Sequence, residues 1–261
     1  MGEFVRLEID ESNKVGTIRL DRPPMNALSS QLFQEIGEAA DAATADARVG
    51  AVVVWGGPKI FAAGADVGQL STASYQDMAG FAELLHAPLK KLAAIPKVVI
   101  AAINGFALGG GCEVALCADF RVAADNAQIG QPEILLGVIP GAGGTQRLPR
   151  IVGVSKAKEM IYSGRFYKAW ECQEFGLVDA VYPAEEVYSK AVEMAAGYAK
   201  GPLQALRAAK TAIDFGMQVD LATGLAIEQQ VFAALFATDD QKIGMKTFFE
   251  KGPGQAAFTG R

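Results

Sequence analysis

Two glutamates stand in surroundings where a carboxylate is out of place. Glu113 closes the run Ala107-Leu108-Gly109-Gly110-Gly111-Cys112-Glu113, and Glu133 follows Pro132 in Gly130-Gln131-Pro132-Glu133-Ile134-Leu135-Leu136. Carboxylates are seldom found among apolar residues and glycines unless they are paired or functional. Taken singly, each also reads as an ordinary charge at a helix N-terminus, where the helix dipole favours it. Two glycine-containing turns accompany them, residues 61–66 and residues 104–113, each placed after an apolar strand-like run. Small residues in such turns let backbone N–H groups face outward unpaired. Two N–H groups converging from separate turns would stabilise a carbonyl oxygen that gains charge. Tight strand-to-helix packing explains the same glycines equally well, so the residues alone leave the two readings even. Beside such a pair of donors, two carboxylates would supply proton transfer to and from an enolate.

Other chemistries lack their residues. His86 is the only histidine, within an expected helix over residues 78–94, and no G-x-S-x-G elbow accompanies it. A lone helical histidine is more often a surface or packing residue than a catalyst. Cys112, Cys117 and Cys172 are odd in number and match no zinc spacing, so they read as reduced, buried thiols. Neither G-x-G-x-x-G nor G-x-x-x-x-G-K-[ST] occurs, which removes the dinucleotide and P-loop fingerprints. No metal and no cofactor is expected.

The elements that must position the glutamates alternate. Residues 4–9 and 15–20 read as a hairpin ended by Arg22-Pro23-Pro24, since paired prolines cannot continue a ladder. Ser29 or Ser30 offers an N-cap for a helix carrying Leu32, Phe33, Ile36, Ala39, Ala40 and Ala43 on one side. Residues 49–55 and 98–103 are continuous apolar runs of strand length, as expected of strands covered on both faces. Residues 120–123 and 177–181 read as further strands, and 152–163 and 186–200 as helices. After Pro202 the pattern is helical: residues 203–215, 221–236 and 239–250. The expected architecture is an α/β core over residues 1–200 and a helical segment over residues 201–261.

With 261 residues and 51% hydrophobic composition, the chain has material for one large core. A net charge of −5 argues against broad nucleic-acid binding, while local cations remain able to hold a small polyanion. The first residues lack an apolar leader, and the most apolar stretch, 98–118, is interrupted by Asn104, Glu113 and glycines. The expectation is a soluble, cytoplasmic protein without a membrane span.

At the glutamates and their flanking turns the chain resembles the crotonase (enoyl-CoA hydratase/isomerase) family. The resemblance runs from Leu20-Asp21-Arg22-Pro23 and Asn26-Ala27-Leu28, through residues 61–66, 104–113 and 130–148, to Phe248-Phe249-Glu250-Lys251 and Phe258. It implies a crotonase (ClpP/crotonase-like) fold: a spiral of ββα units with a C-terminal helical segment used in assembly, as a homotrimer or a hexamer of two trimers. It also implies an acyl-CoA substrate, with no cofactor beyond that thioester.

By the same resemblance, the backbone N–H groups of Ala65 and Gly110 would bind the thioester oxygen. Ala63, Gly64, Asp66, Val67 and Gly68 would line the thioester and pantetheine region. Arg22, Ala27, Lys59 and Phe258 would approach the nucleotide end, and the backbone near Gly141 would help to place a water. Retention of both Glu113 and Glu133 implies hydration of a 2-trans-enoyl-CoA. Enoyl-CoA isomerisation through the same enolate, and non-catalytic acyl-CoA binding, are the alternatives. One departure stands out: between Lys251 and Phe258 the chain reads Gly-Pro-Gly-Gln-Ala-Ala, without the basic residues many relatives carry there.

Overall fold

The structure is a computed structural model that describes every residue except Met1, Asp66, Val67, Gln69 and Leu70, and omits the side chains of residues 81–83. The opening hairpin pairs β1 (Val5–Asp10) with β2 (Val15–Leu20) antiparallel. Helix α1 (Ser30–Ala45) follows, with Ser29 as its N-cap accepting from the Leu32 N–H. Its expected apolar residues are all buried.

From there the chain winds in repeated strand–strand–helix turns. Strand β3 (Ala51–Trp55) leads to β4 (Ala62–Ala63) and α2 (Tyr75–Ala93). Strand β5 (Val98–Ile103) leads to β6 (Phe106–Leu108) and α3 (Gly110–Ala115). Strand β7 (Phe120–Ala124) leads to β8 (Gln128–Gly130), a short 3-10 helix over Pro132–Leu136, and α4 (Gly144–Val152). The first strand of each turn joins a six-stranded sheet ordered β1-β2-β3-β5-β7-β10, where β10 is Ala180–Tyr182. The second strand joins a four-stranded sheet ordered β4-β6-β8-β9, where β9 is Tyr167–Lys168. β3, β5 and β7 are parallel neighbours and almost wholly buried, which is why they read as unbroken apolar runs.

The second sheet corrects the expectation of plain glycine-rich turns over residues 61–66 and 104–113: each contains a strand of two or three residues. Runs that short carry no visible alternation. Two other boundaries also differ. The strand expected over residues 177–181 begins at Ala180. The helix expected over residues 152–163 is α5 (Val154–Ser163), separated by Gly153 (φ +81°) from α4, which the sequence reading left unassigned. α4 begins at a glycine and contains Pro149, so it shows neither a capping side chain nor an uninterrupted helical pattern.

Helix α6 (Ala169–Glu174) and helix α7 (Val187–Ala199) complete the core, with α7 lying against β3 and β5. Beyond Pro202, α8 (Leu203–Gly216), α9 (Leu221–Leu235) and α10 (Asp239–Lys251) bury only Asp240 among their own residues. Leu221, Phe232, Phe248 and Phe249 are among the large apolar side chains left exposed there. α8 is tied to the core by Lys210, whose Nζ lies 2.9 Å from Asp119 Oδ2 and 3.2 Å from the Lys97 carbonyl.

Candidate active site

The site lies at the edge where β4, β6 and β8 end together. The parallel registers place Ala63 beside Leu108 and Leu108 beside Gly130. Adjacent strands lie about 4.8 Å apart, so the residues that follow each strand emerge as close neighbours. They are Gly64 and Ala65, then Gly109 and Gly110, then Gln131 to Glu133.

Hydrogen bonds fix these exits. Gly64 N–H donates to the Leu108 carbonyl at 2.9 Å, Gly109 N–H to the Gly130 carbonyl at 2.9 Å, and Leu28 N–H to the Gly64 carbonyl at 3.0 Å. Ala65 forms a parallel bridge with Leu28. Gly110 is the first residue of α3, so its N–H has no acceptor within the helix. Among the described residues, neither the Ala65 nor the Gly110 N–H is paired.

Gly109 adopts φ +55°, a conformation L side chains rarely take, and a Cβ there would stand 3.3 Å from Glu133 Oε1. A Cβ on Gly111 would stand 2.0 Å from the Ala62 carbonyl oxygen, so only glycine lets α3 approach β4 this closely. Packing thus requires Gly111, and Gly110 sits against Leu28 with an N–H that has no partner among the described residues.

Glu113 is 2% exposed. Its Oε1 accepts from the Ala142 and Gly144 N–H groups, each at 2.7 Å, from the turn that opens α4. Burial pushes its pKa up, while those two N–H groups and the charge of Arg147 pull the other way; the net direction is upward. Glu133 sits in the first turn of the 3-10 helix and is half-buried. Burial chiefly, with the neighbouring Glu113 charge adding, pushes it up to about 7 against the pull of its own backbone N–H. The two carboxylates differ in kind: one is enclosed and clasped by backbone donors, the other sits less enclosed and titrates near neutrality. Paired carboxylates in unlike environments are suited to opposite proton-transfer roles.

Gln131, fully buried, was not singled out by the sequence reading. With its amide nitrogen turned to Glu133 it donates to Oε1 at 2.8 Å and Oε2 at 3.1 Å, and the opposite orientation would set oxygen against acceptors. Its only sequence signal was an amide between Gly130 and Pro132 in an apolar run. Asn26 was missed as a builder of the site. Its Nδ2 donates to the Gly56 and Phe61 carbonyls, both at 2.9 Å, and its Oδ1 accepts from Arg22 N–H at 2.8 Å. That bonding fastens the loop before β4 to the segment carrying Leu28. The residues of the Ala142–Gly144 clasp also carried no signal, because backbone donors are invisible in side-chain types.

The remaining expected residues divide. Ala63, half-exposed, ends β4 and donates its N–H to the Met25 carbonyl at 2.9 Å; Ala27 is half-exposed nearby, and its carbonyl accepts from Arg22 Nη1 at 2.7 Å. Gly141 is exposed and adjoins the Ala142 donor. Gly68 is exposed, Lys59 is exposed, and Arg22 stacks its guanidinium 5.6 Å from the Phe4 ring centroid. Phe258 packs on Gly244 of α10, in the C-terminal segment. Asp66 and Val67 lie outside the described residues. Cys112, Cys117 and Cys172 are buried free thiols, as expected. Burial lifts the Cys117 thiol to about 11 and the Cys172 thiol to about 12, so both stay protonated at neutral pH.

A spiral of strand–strand–helix turns, with two unlike carboxylates at the edge of its smaller sheet, defines a protein of the crotonase fold. The sequence pattern of the enoyl-CoA hydratase/isomerase family matches residues 10–261, and the chain belongs to that family. It is 42% identical over 251 residues to the crotonyl-CoA hydratase of Syntrophomonas wolfei, covering 95% of this chain and 96% of that one. It is 40% identical over 251 residues to the short-chain-enoyl-CoA hydratase of Clostridium acetobutylicum, with the same coverage. The crystal structure of an enoyl-CoA hydratase from Bacillus anthracis superposes with a TM-score of 0.91 at 38% identity, covering 99% of this chain and 100% of that one.

Proposed function

We propose that this protein is an enoyl-CoA hydratase. It adds water across the double bond of a 2-trans-enoyl-CoA to give a 3-hydroxyacyl-CoA, a step of fatty acid β-oxidation. The observation that carries the reading is the pair Glu113 and Glu133: two carboxylates of unlike environment beside two open backbone N–H groups. In this reading Glu113, its Oε1 clasped by two N–H groups, acts as the base that holds and polarises the water attacking C3, with the Gly141 backbone helping to place it. Glu133, protonated near neutral pH, delivers a proton to C2. Ala65 and Gly110 donate to the thioester oxygen as it gains charge, a contribution of about 3–4 kcal/mol per donor in comparable sites.

Ala63, Gly64 and Gly68 are assigned to the thioester and pantetheine path, as are Asp66 and Val67 by the family resemblance alone. Ala27 and the cations Arg22 and Lys59 serve the nucleotide end, with Phe258 against the adenine. No cofactor is required, because the thioester itself is the electron sink. The exposed apolar faces of α8 to α10 support assembly as a trimer or a pair of trimers, which light scattering at micromolar concentration tests; a monomer would refute it. The proposed compartment is the cytoplasm.

Steady-state turnover of crotonyl-CoA by the parent, Glu113→Gln and Glu133→Gln proteins tests the chemistry. Each amide variant should lose ~10²–10⁴-fold in kcat. Folded variants that keep the parental rate would sink the two-carboxylate mechanism.

A further inference from the structure

We infer that Arg147 is a positioning residue for this reaction: from one turn inside α4, behind the Ala142–Gly144 clasp, its guanidinium holds Glu113 in the ionised form that activates water. The inference rests on the reading of Glu113 as the water-holding base.

The geometry begins with the turn. Gly143, at φ +113°, turns the chain so that the N–H groups on either side of it both reach Glu113 Oε1. Arg147 N–H donates to the Gly143 carbonyl at 2.8 Å. The side chain then folds back over the same turn, with Nε 3.2 Å from where a Cβ on Gly143 would stand. That Nε is enclosed and, among the described residues, has no hydrogen-bond partner. An unpaired enclosed N–H is costly, so hydrogen bonding through Nε does not account for the side chain lying over this turn. The contribution assigned to it is its charge.

The groups around it fit that assignment. The titratable groups that interact with Glu113 are the Cys112 and Cys117 thiols, kept neutral by burial, the Glu133 carboxyl from the 3-10 helix, and Arg147, the one cation acting on it among the described residues. The groups that feel the Arg147 charge are Glu113 and Cys117 from the core and Asp214 from α8. Asp214 also interacts with Lys210 and Asp119. The Arg147 charge thus favours ionisation of both the buried carboxylate and an acid on the C-terminal segment, and in this inference the two acids compete for it.

The test is the pH dependence of kcat/KM for crotonyl-CoA in the parent, Arg147→Met, Arg147→Lys and Asp214→Asn proteins. The acid limb should move to higher pH in Arg147→Met, with about tenfold loss on the acid side for each unit of displacement, while the alkaline limb stays in place. Arg147→Lys should return the limb toward the parental position, and Asp214→Asn should move it to lower pH. A uniform loss at every pH in Arg147→Met would mark a purely structural residue and overturn the inference. So would Asp214→Asn moving the limb upward, an arm that needs no change at Arg147 if Arg147→Met fails to fold. Infrared difference titration of labelled glutamate carboxylates, assigned through Glu113→Gln, reads the Glu113 ionisation without turnover. An inactive parent would defeat the hydratase reading, while the infrared titration would still decide the role of Arg147.

Discussion

Replacing Glu133 by glutamine should stabilise the protein, and increasingly so as the pH rises. In the native state burial lifts the Glu133 carboxyl from 4.5 to about 7. A folded-state pKa raised above the unfolded value means that its favourable contribution is complete below about pH 4.5. That contribution is then lost as the pH climbs through about 7. At about 1.4 kcal/mol for each pH unit the full loss is about 3 kcal/mol. Partial exposure and the donation from Gln131 reduce it to about 2 kcal/mol. Glu133→Gln keeps shape and the acceptor toward Gln131 but removes the ionisation. Guanidinium unfolding of both proteins at fixed protomer concentration checks this. Their stabilities should agree at pH 4.5 and diverge to about 2 kcal/mol in favour of the variant by pH 8.5. A difference that is flat across that range, or one favouring the parent at high pH, would show that Glu133 is not held in a charge-averse site.

On the proposed mechanism, parental kcat/KM for hydration should fall as the pH passes about 7, where the Glu133 carboxyl would lose the proton assigned to C2; a plateau extending to pH 9 would contradict that role. Gly109→Ala, at φ +55° and against Glu133, should cost about 1–3 kcal/mol of stability by chemical denaturation and, on the proposed mechanism, lower kcat by displacing Glu133. Asn26→Ala strips donors from two enclosed carbonyls and should destabilise by about 2–4 kcal/mol, read as a lower denaturation midpoint. Glu35, whose carboxylate accepts from the Phe4 and Val5 N–H groups at 2.6 and 2.8 Å, anchors the first strand. Its replacement by alanine should raise hydrogen exchange in β1 more than in β5.

The long apolar strands and the helix order were legible because β3 and β5 are covered on both faces and α1 shows one buried side. The smaller sheet was not, since Ala62-Ala63 and Phe106-Ala107-Leu108 are too short to display a period. At the site, the glutamates and the glycines at 109–111 were legible as oddities of composition, while residue chemistry alone left the purpose of each open. The clasp at Ala142 and Gly144 and the brace at Gln131 were illegible. Backbone donors have no residue signature, and a buried amide announces itself only when its partner across space is known. The break at Gly153 and the start of α4 at Gly144 were hidden for a related reason: both depend on backbone conformations that glycine permits without requiring.

The winding of the chain has a consequence for how such a site can change. The first turn of the spiral contributes Ala65, the second Gly110 and Glu113, and the third Glu133 with the clasp that grips Glu113. The participants are thus spread over three coils, and the ladder of the smaller sheet sets the spacing between coils. On the proposed mechanism, exchanging Glu133 leaves in place what the first two coils present, so a new reaction on the same thioester needs only a local edit. Lengthening an outer loop reshapes the space around the acyl chain yet leaves that pitch untouched. Disturbing a single rung between β4, β6 and β8 would shift one whole coil, with everything mounted on it, relative to its neighbour.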